Sequence, residues 1–341
     1  MVDRPVTEPA RVVTPAELVA QLLPTLRAFA IPMPVRFRGT TLREGALLHG
    51  PAGWGEFSPF PDYGPRECAR WLACALEAAA VGWPAPVRDR IPVNVTVPAV
   101  GPEQARAIVT GSGCRTAKVK VAEPGQPESA DVARVAAVRE AIGPDGMVRV
   151  DANGGWDVAT AERVLTALAE FGLEYAEQPC STLAELAEVR RRVAVPIAAD
   201  ESIRRASDPL RVRAEGAADI VVLKAQPLGG VRAALRIAEQ CGLPVVVSSA
   251  VDTSIGLAAG AALAAALPSL GYACGLGTMS LLAGDVTADP LVPAAGELPV
   301  RPAVVDPDAL SRWEVDPAGW RDRLLAAAAF LPPRLPLRED L

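Results

Sequence analysis

From Ile91 onward the sequence repeats one unit, a short apolar run followed by a stretch with helical spacing. The runs are Val93–Val97, Ala117–Val121, Met147–Ala152, Glu174–Glu177, Ile197–Asp200, Ile220–Lys224, Val245–Ser249 and Tyr272–Leu276. Between nearly all of them lie helical stretches such as Ala130–Ile142, Val158–Phe171, Leu183–Val193, Val231–Cys241 and Ser254–Leu267. Strand and helix in alternation mean a parallel sheet, and eight such units predict a closed (β/α)8 barrel or a close variant. An open doubly wound sheet is the competing architecture. It is disfavoured because Val97-Pro98-Ala99 follows the first strand where a glycine-rich phosphate loop would stand.

The barrel does not use the whole chain. Residues 1–30 are proline-rich, with one helix predicted from Thr14 to about Phe29. Thr14 at the N-cap, Pro15 at the first helical position and Glu17 at the third form its start signal. Two strand-like pieces follow, Val35–Leu42 and Gly45–His49, and then a helix over Cys68–Ala80 with Trp71, Leu72, Ala75, Leu76 and Ala79 on one face. This part reads as a small α+β domain. Beyond about residue 280 the chain is again proline-rich and is expected to fold back onto it. The division predicted is therefore 1–90, with a contribution from 283–341, and a barrel over 91–282.

Composition excludes several function classes. A formal charge of −6 argues against a nucleic-acid or anionic-membrane partner. Cysteines 68, 74, 114, 180, 241 and 274 form no CxxC pair and no ligand spacing, as expected of buried thiols in a reducing compartment. The N-terminus lacks the basic and apolar segments of a signal peptide. The longest aliphatic run, Leu257–Leu267, is about half the ~20 residues that a membrane span needs. A soluble cytoplasmic protein is the expectation.

The chemistry is concentrated at the ends of the runs. Lys118 and Lys120 share one face of the second barrel strand, because side chains two apart on a strand point the same way. Two ammonium groups together require compensation. Asp151, Glu177, Asp200 and Lys224 supply charge at the carboxyl ends of the next four runs, at intervals of 26, 23 and 24 residues. In a barrel these ends converge on one mouth. Three adjacent carboxylates need a cation, and all-oxygen ligation without histidine or cysteine points to a hard ion, Mg²⁺ first, with Mn²⁺ as a possible substitute. Each acid taken singly is an ordinary exposed carboxylate, and each lysine an ordinary surface residue. Their joint placement is what favours a site. Lys120 and Lys224 flank the acid-bearing strands, each able to face one side of a bound substrate. Such a site would remove the proton next to a metal-held carboxylate and stabilise the enediolate. The single histidine, His49, lies outside the barrel, so a histidine base is not expected there. Arg149 shares the inward parity of Asp151 and calls for a partner, a carboxylate being the kind expected. Glu201 faces the other way on an ideal strand and is read as a supporting or structural group.

These residues sit in motifs that resemble the enolase superfamily, in its muconate-lactonising-enzyme-like subgroup, and within it the actinobacterial o-succinylbenzoate synthases. The resemblance spans about Arg36 to Leu282. It rests on Gly53-Trp54-Gly55-Glu56-Phe57-Ser58-Pro59, Lys118-Val119-Lys120, Val150-Asp151-Ala152-Asn153-Gly154-Gly155-Trp156, Glu177-Gln178-Pro179 and Ala199-Asp200-Glu201-Ser202. Lys224-Ala225-Gln226-Pro227-Leu228-Gly229-Gly230 and Ser248-Ser249-Ala250-Val251-Asp252-Thr253-Ser254-Ile255-Gly256 add to it. The resemblance implies a (β/α)7β barrel with an α+β capping domain made from both chain ends. It implies Asp151, Glu177 and Asp200 as Mg²⁺ ligands, Lys120 as base, Lys118 as its modulator and Lys224 as charge stabiliser. Ser248, Ser249 and Gly275 are candidate substrate contacts. The loops near Phe37–Thr41 and Phe57–Tyr63 would close over the substrate. The implied reaction is syn-elimination of water from 2-succinyl-6-hydroxy-2,4-cyclohexadiene-1-carboxylate, in menaquinone biosynthesis. An N-acylamino-acid racemase or dipeptide epimerase would use the same site. A Schiff-base aldolase on Lys224 and a barrel retained as a binding module are the readings of other classes.

Overall fold

The computed structural model describes residues 14–37, 39–205 and 209–335. The chain opens with helix α1 (Pro15–Leu22), whose start carries the expected capping box: Glu17 N donates to Thr14 Oγ1, and Thr14 N donates to the Glu17 carboxylate at 2.8 Å. It does not run to Phe29. One 3-10 turn over Leu23–Thr25 ends it, and Pro24 in that turn has no N–H with which to continue a helix. Strand β1 (Arg27–Phe37) then pairs antiparallel with β2 (Thr40–Gly50), and β2 with β3 (Gly53–Phe57). The hairpin thus turns between Phe37 and Thr40, whereas the sequence suggested a break near Gly45. That glycine lies inside β2 for a packing reason, since a Cβ there would stand 2.6 Å from both the Phe29 ring and Ser58 Cβ. Helix α2 (Pro65–Ala80) covers this sheet, starting one turn before the expected Cys68.

All eight apolar runs form strands. In chain order they are β4 (Arg90–Val97), α3 (Pro102–Ser112), β5 (Thr116–Lys120), α4 (Glu128–Ile142), β6 (Met147–Asp151), α5 (Val158–Leu168), β7 (Leu173–Glu177) and α6 (Leu183–Arg192). Then come β8 (Ile197–Ala199), the short helices α7 (Glu201–Arg204) and α8 (Arg211–Ala214), β9 (Ile220–Leu223), α9 (Val231–Cys241), β10 (Val245–Val247), α10 (Ser254–Ala266) and β11 (Cys274–Gly277). Every neighbouring pair is parallel, from β10 through to β4 and on to β11. The ring closes where Ser248 bridges Gly275, with Ser249 N donating to Gly275 O at 3.1 Å. No long helix follows β11. Instead β12 (Glu297–Pro299) returns antiparallel onto β4, which makes the barrel (β/α)7β. After α11 (Pro307–Ser311), β13 (Glu314–Val315) pairs with β1, and α12 (Ala318–Ala328) packs on α2. Both chain ends therefore build the cap. No helix among the described residues is long and apolar enough to cross a membrane.

Two buried glutamates of the cap are inserted at the starts of barrel helices. The first N–H groups of a helix lack partners and carry a partial positive charge. Glu77 of α2 accepts from Val231 N at 2.6 Å and Arg232 N at 3.2 Å, with the Arg232 guanidinium at 2.9 Å. Glu56 of β3 accepts from Thr253 N at 3.2 Å and Gly256 N at 3.0 Å. The glycine pair after Lys224 follows from this joint. Gly230 has φ +115°, and a Cβ on it would lie 2.0 Å from Glu77 Oε2. Gly230→Ala should therefore lower stability by about 2 kcal/mol or more, through backbone strain and a displaced buried carboxylate. Gly319→Ala, with nothing within 4 Å of its Cβ, should leave stability unchanged or higher. Urea titration of both variants checks this, and equal effects would refute it.

Burial first, and then repulsion from Asp252, pushes the Glu56 carboxyl up to about 7. The folded protein then holds a proton that the unfolded chain releases near 4.5, the ordinary value. The contribution of Glu56 to stability is thus fullest below about 4.5, falls as pH rises to about 7 and is level above. Urea midpoints measured from pH 5 to 8 should show a downward component that Glu56→Gln flattens; parallel curves for the two proteins would contradict this.

Candidate active site

Parallel register stacks the charged residues in layers. Lys120 on β5 lies beside Asp151 on β6 and Glu177 on β7, while Lys118, Arg149 and Tyr175 form the row beneath. Asp200 and Lys224 directly follow β8 and β9. All six residues expected in the site are brought to this mouth, and all are buried, with 0–7% of their surface exposed. Lys118 Nζ stands between two carboxylates, 3.2 Å from Asp151 Oδ2 and 3.1 Å from Glu177 Oε2. Lys120 Nζ pairs with Asp151 Oδ2 and donates to Asn153 Oδ1 at 2.6 Å. Lys224 Nζ pairs with Asp200 Oδ2, whose other oxygen lies 3.2 Å from Arg204 Nε.

Burial disfavours every one of these charges, so their mutual placement decides their states. Burial alone would neutralise Asp151, but Lys120 and Lys118 outweigh it and hold its carboxyl well below the usual range. Burial acts likewise on Lys118, and Glu177 and Asp151 overcome it, so its pKa is raised. Glu177 is pushed up to about 7, by burial first and then by Asp151. Of these two carboxyls it is therefore Glu177 that takes up a proton more readily.

Among the described residues no group of three carboxylate, histidine or cysteine side chains is gathered into a ligating cluster. The carboxylates are turned instead onto the lysines. The donor set nevertheless fits a hard divalent ion: three carboxylates from adjacent strands, with an ammonium group already bridging two of them. Asp151, Glu177 and Asp200 are the residues that would hold such an ion, after yielding their lysine partners.

Supporting groups that sequence reasoning missed complete the mouth. Gln178 Oε1 accepts from Asp200 N at 3.0 Å and Ser202 N at 3.2 Å, tying the end of β7 to that of β8. Arg204 reaches both Asp200 and Glu201, and meets the hydroxyl of Tyr63 in the cap. The i,i+4 spacing of Asp200 and Arg204 was the available signal. Glu201 is not on a strand, as had been assumed. Strand β8 ends at Ala199, and the turn of α7 swings Glu201 round to accept from Asn153 Nδ2 at 3.2 Å. Arg149 finds its carboxylate in Glu174, with Ala273 O at 2.7 Å and the Tyr175 ring at 4.8 Å. His49 lies on β2 against Trp54, in the cap.

A small chamber in the mouth is lined by Phe37, Thr96, Lys118, Lys120, Asp151, Asn153, Lys224, Ser248, Ser249, Val251, Gly275 and Thr278, among others. The three expected substrate contacts are thus on its wall. Gly275 also has a structural reason, because a Cβ there would lie 2.4 Å from Ser248 Oγ. Of the two expected lid loops, Phe37 reaches the chamber, and its ring lies 4.9 Å from Lys120 Nζ. Residue 38 of that loop lies outside the described residues. The second loop, Phe57–Tyr63, does not line the chamber. It is held against the cap by Arg43 and Arg323, which donate to Ser58 O and to Pro59 O and Tyr63 O.

Comparison with known proteins agrees with this architecture. The family described as enolase C-terminal domain-like matches residues 102–304, and that described as enolase N-terminal domain-like matches residues 28–79. An o-succinylbenzoate synthase of Thermobifida fusca is 70% identical over 305 residues, covering 89% of this chain and 96% of its own. One of Mycolicibacterium smegmatis is 56% identical, covering 91% and 97%. Among solved structures, muconate lactonizing enzyme from Pseudomonas fluorescens superposes with a TM-score of 0.72 at 22% identity, over 85% of this chain and 98% of that one. A dipeptide epimerase of Enterococcus faecalis, complexed with Mg and a dipeptide, gives 0.69 at 23% identity over 82% and 97%.

Removing the bridging ammonium tests the electrostatic account. Lys118→Met leaves Asp151 paired with Lys120 but takes the ammonium from Glu177 beside it, which should cost about 3 kcal/mol of stability in EDTA. Saturating divalent ion should restore most of it. Thermal melts with and without metal check this, and a loss that metal does not reverse would refute the carboxylates as its ligands.

Proposed function

The chain belongs to the enolase superfamily, and from that membership we propose that it is an o-succinylbenzoate synthase. It dehydrates 2-succinyl-6-hydroxy-2,4-cyclohexadiene-1-carboxylate to 2-succinylbenzoate through an enediolate, as a carbon–oxygen lyase of menaquinone biosynthesis. The observation that carries the residue assignment is the flanking pair of amines. Lys120 on β5 and Lys224 after β9 stand on either side of the three strands that present Asp151, Glu177 and Asp200. Those three carboxylates are assigned to Mg²⁺, which when bound supplies a Lewis acid for the substrate carboxylate.

The protein's own groups account for the proton. Lys120 is assigned as the base at the carbon bearing the carboxylate. Asn153 Oδ1 fixes its amine at 2.6 Å, and the neighbouring Lys118 ammonium disfavours a second positive charge beside it. The abstracted proton resides on Lys120 Nζ, and the same group returns it to the departing hydroxide. Water leaves and the ring becomes aromatic. Lys224 faces the enediolate from the other side and balances its charge. Phe37 and the buried walls keep bulk water from the Lys120 amine.

The paired lysines would also serve a 1,1-proton transfer, so the assay includes an N-succinyl amino acid alongside the cyclohexadiene, each with and without EDTA. Dehydration abolished by EDTA is expected. Solvent deuterium exchange into the amino acid with no dehydration would transfer the assignment to racemisation. Lys120→Ala should lower kcat by about 10³-fold or more, while Mg²⁺ affinity by calorimetry stays within about threefold. Retained turnover in that variant would remove Lys120 from its role.

A further inference from the structure

Five non-glycine residues among those described have positive φ, and four of them, Ala122, Asn153, Gln178 and Val251, lie just beyond the carboxyl ends of barrel strands. Val251 is the least expected. A β-branched side chain at φ +61° is a conformational outlier that needs outside support. It also lines the chamber, together with Ala250, Lys120 and Asp151. Its support comes from the cap. Arg43 of β2, 2% exposed, donates from Nε to Val251 O at 2.9 Å. Its other nitrogens donate to Glu44 O at 2.8 Å, Ser58 O at 2.5 Å and Ser58 Oγ at 2.8 Å, and the guanidinium stacks on Phe60. Asp252 completes the clamp. It lies 3.8 Å from Arg43, accepts from Ala250 N at 3.2 Å, and accepts from Gln226 Nε2 at 2.8 Å, two residues beyond Lys224.

We propose that Arg43 is a positioning residue that holds Val251 in its left-handed conformation and so fixes the chamber wall facing the substrate ring and succinyl chain. This rests on the dehydratase reading for the identity of the ligand, but not for the clamp itself. A planar guanidinium with five fixed donors suits this junction of three carbonyls and a carboxylate, and a lysine cannot reproduce it. Arg43 touches no reacting group, so its loss should appear in substrate binding more than in chemistry.

The test is a double-mutant cycle of Arg43→Met and Val251→Gly, with Arg43→Lys as a milder variant that keeps the charge. In the wild-type background, Arg43→Met should raise KM about tenfold with kcat changed less than about threefold, and Arg43→Lys should not restore KM. Glycine adopts positive φ without a clamp. On top of the loss that Val251→Gly causes by itself, Arg43→Met should then add less than about threefold in KM. Melting temperatures of the four proteins provide a readout free of substrate, and the drop caused by Arg43→Met should likewise shrink in the glycine background. Equal effects of Arg43→Met in both backgrounds, or parallel losses of kcat and kcat/KM, would overturn the proposal. Coupling seen in the melts without any dehydration activity would instead leave the clamp standing and remove the dehydratase reading.

Discussion

The structure depends on balanced charge inside the barrel mouth. Four cationic groups, Lys118, Lys120, Lys224 and Arg204, meet four carboxylates, Asp151, Glu177, Asp200 and Glu201, where little or none of each side chain reaches solvent. An isolated charge in such a place is very costly, so each sign makes the other tolerable. The same balance makes the site responsive to ligands. On the proposed function, a divalent ion held by the carboxylates would free ammonium groups for the negative charge of an enediolate, so that ground-state pairing and transition-state stabilisation would draw on one set of groups.

The cap is tied to this centre through polar contacts that are themselves buried. Glu77 and Glu56 end at the N-termini of α9 and α10, the helices that follow the Lys224 strand and the Ser248 strand. Tyr63 reaches Arg204, and Arg43 reaches Val251. A cap docked by apolar surface alone could slide by a few tenths of an ångström at small cost. Directed hydrogen bonds to helix starts and loop carbonyls do not allow that. Docking and site geometry are consequently one property of this fold.

Much of this was readable before any coordinates. The eight apolar runs became the eight barrel strands because a strand buried on both faces must be apolar throughout, and few other elements are that short and that uniform. The convergence of the six candidate residues was readable because parallel register fixes which side chains meet: a charged residue ending each of several adjacent strands has only one place to go. The cap was less legible. Gly45 looked like a turn but serves packing against Phe29 and Ser58, and its reason lies far away in sequence. The end of α1 was set by Pro24, which the apolar periodicity across it concealed. Glu201 was placed on the wrong face because a strand was extended through residues that start a helix.

What sequence reasoning missed shares one cause. Arg43, Gln178 and Arg204 stabilise backbone that local preference resists: Val251 and Gln178 hold positive φ, and Asp200 leaves its strand for a helix at once. Periodicity reports where a chain agrees with its neighbours in sequence, and these residues act where it does not. Four of the five strained non-glycine positions among the described residues cluster beyond the carboxyl ends of β5, β6, β7 and β10, around the amines and carboxylates, and not in the barrel wall. Regular elements set the layers, and long-range hydrogen bonds from the cap and from adjacent loops then bend the last residues into place. The precision of the site therefore resides in contacts between residues distant in sequence, and for that reason substitutions well away from the lysines can alter what the chamber accepts.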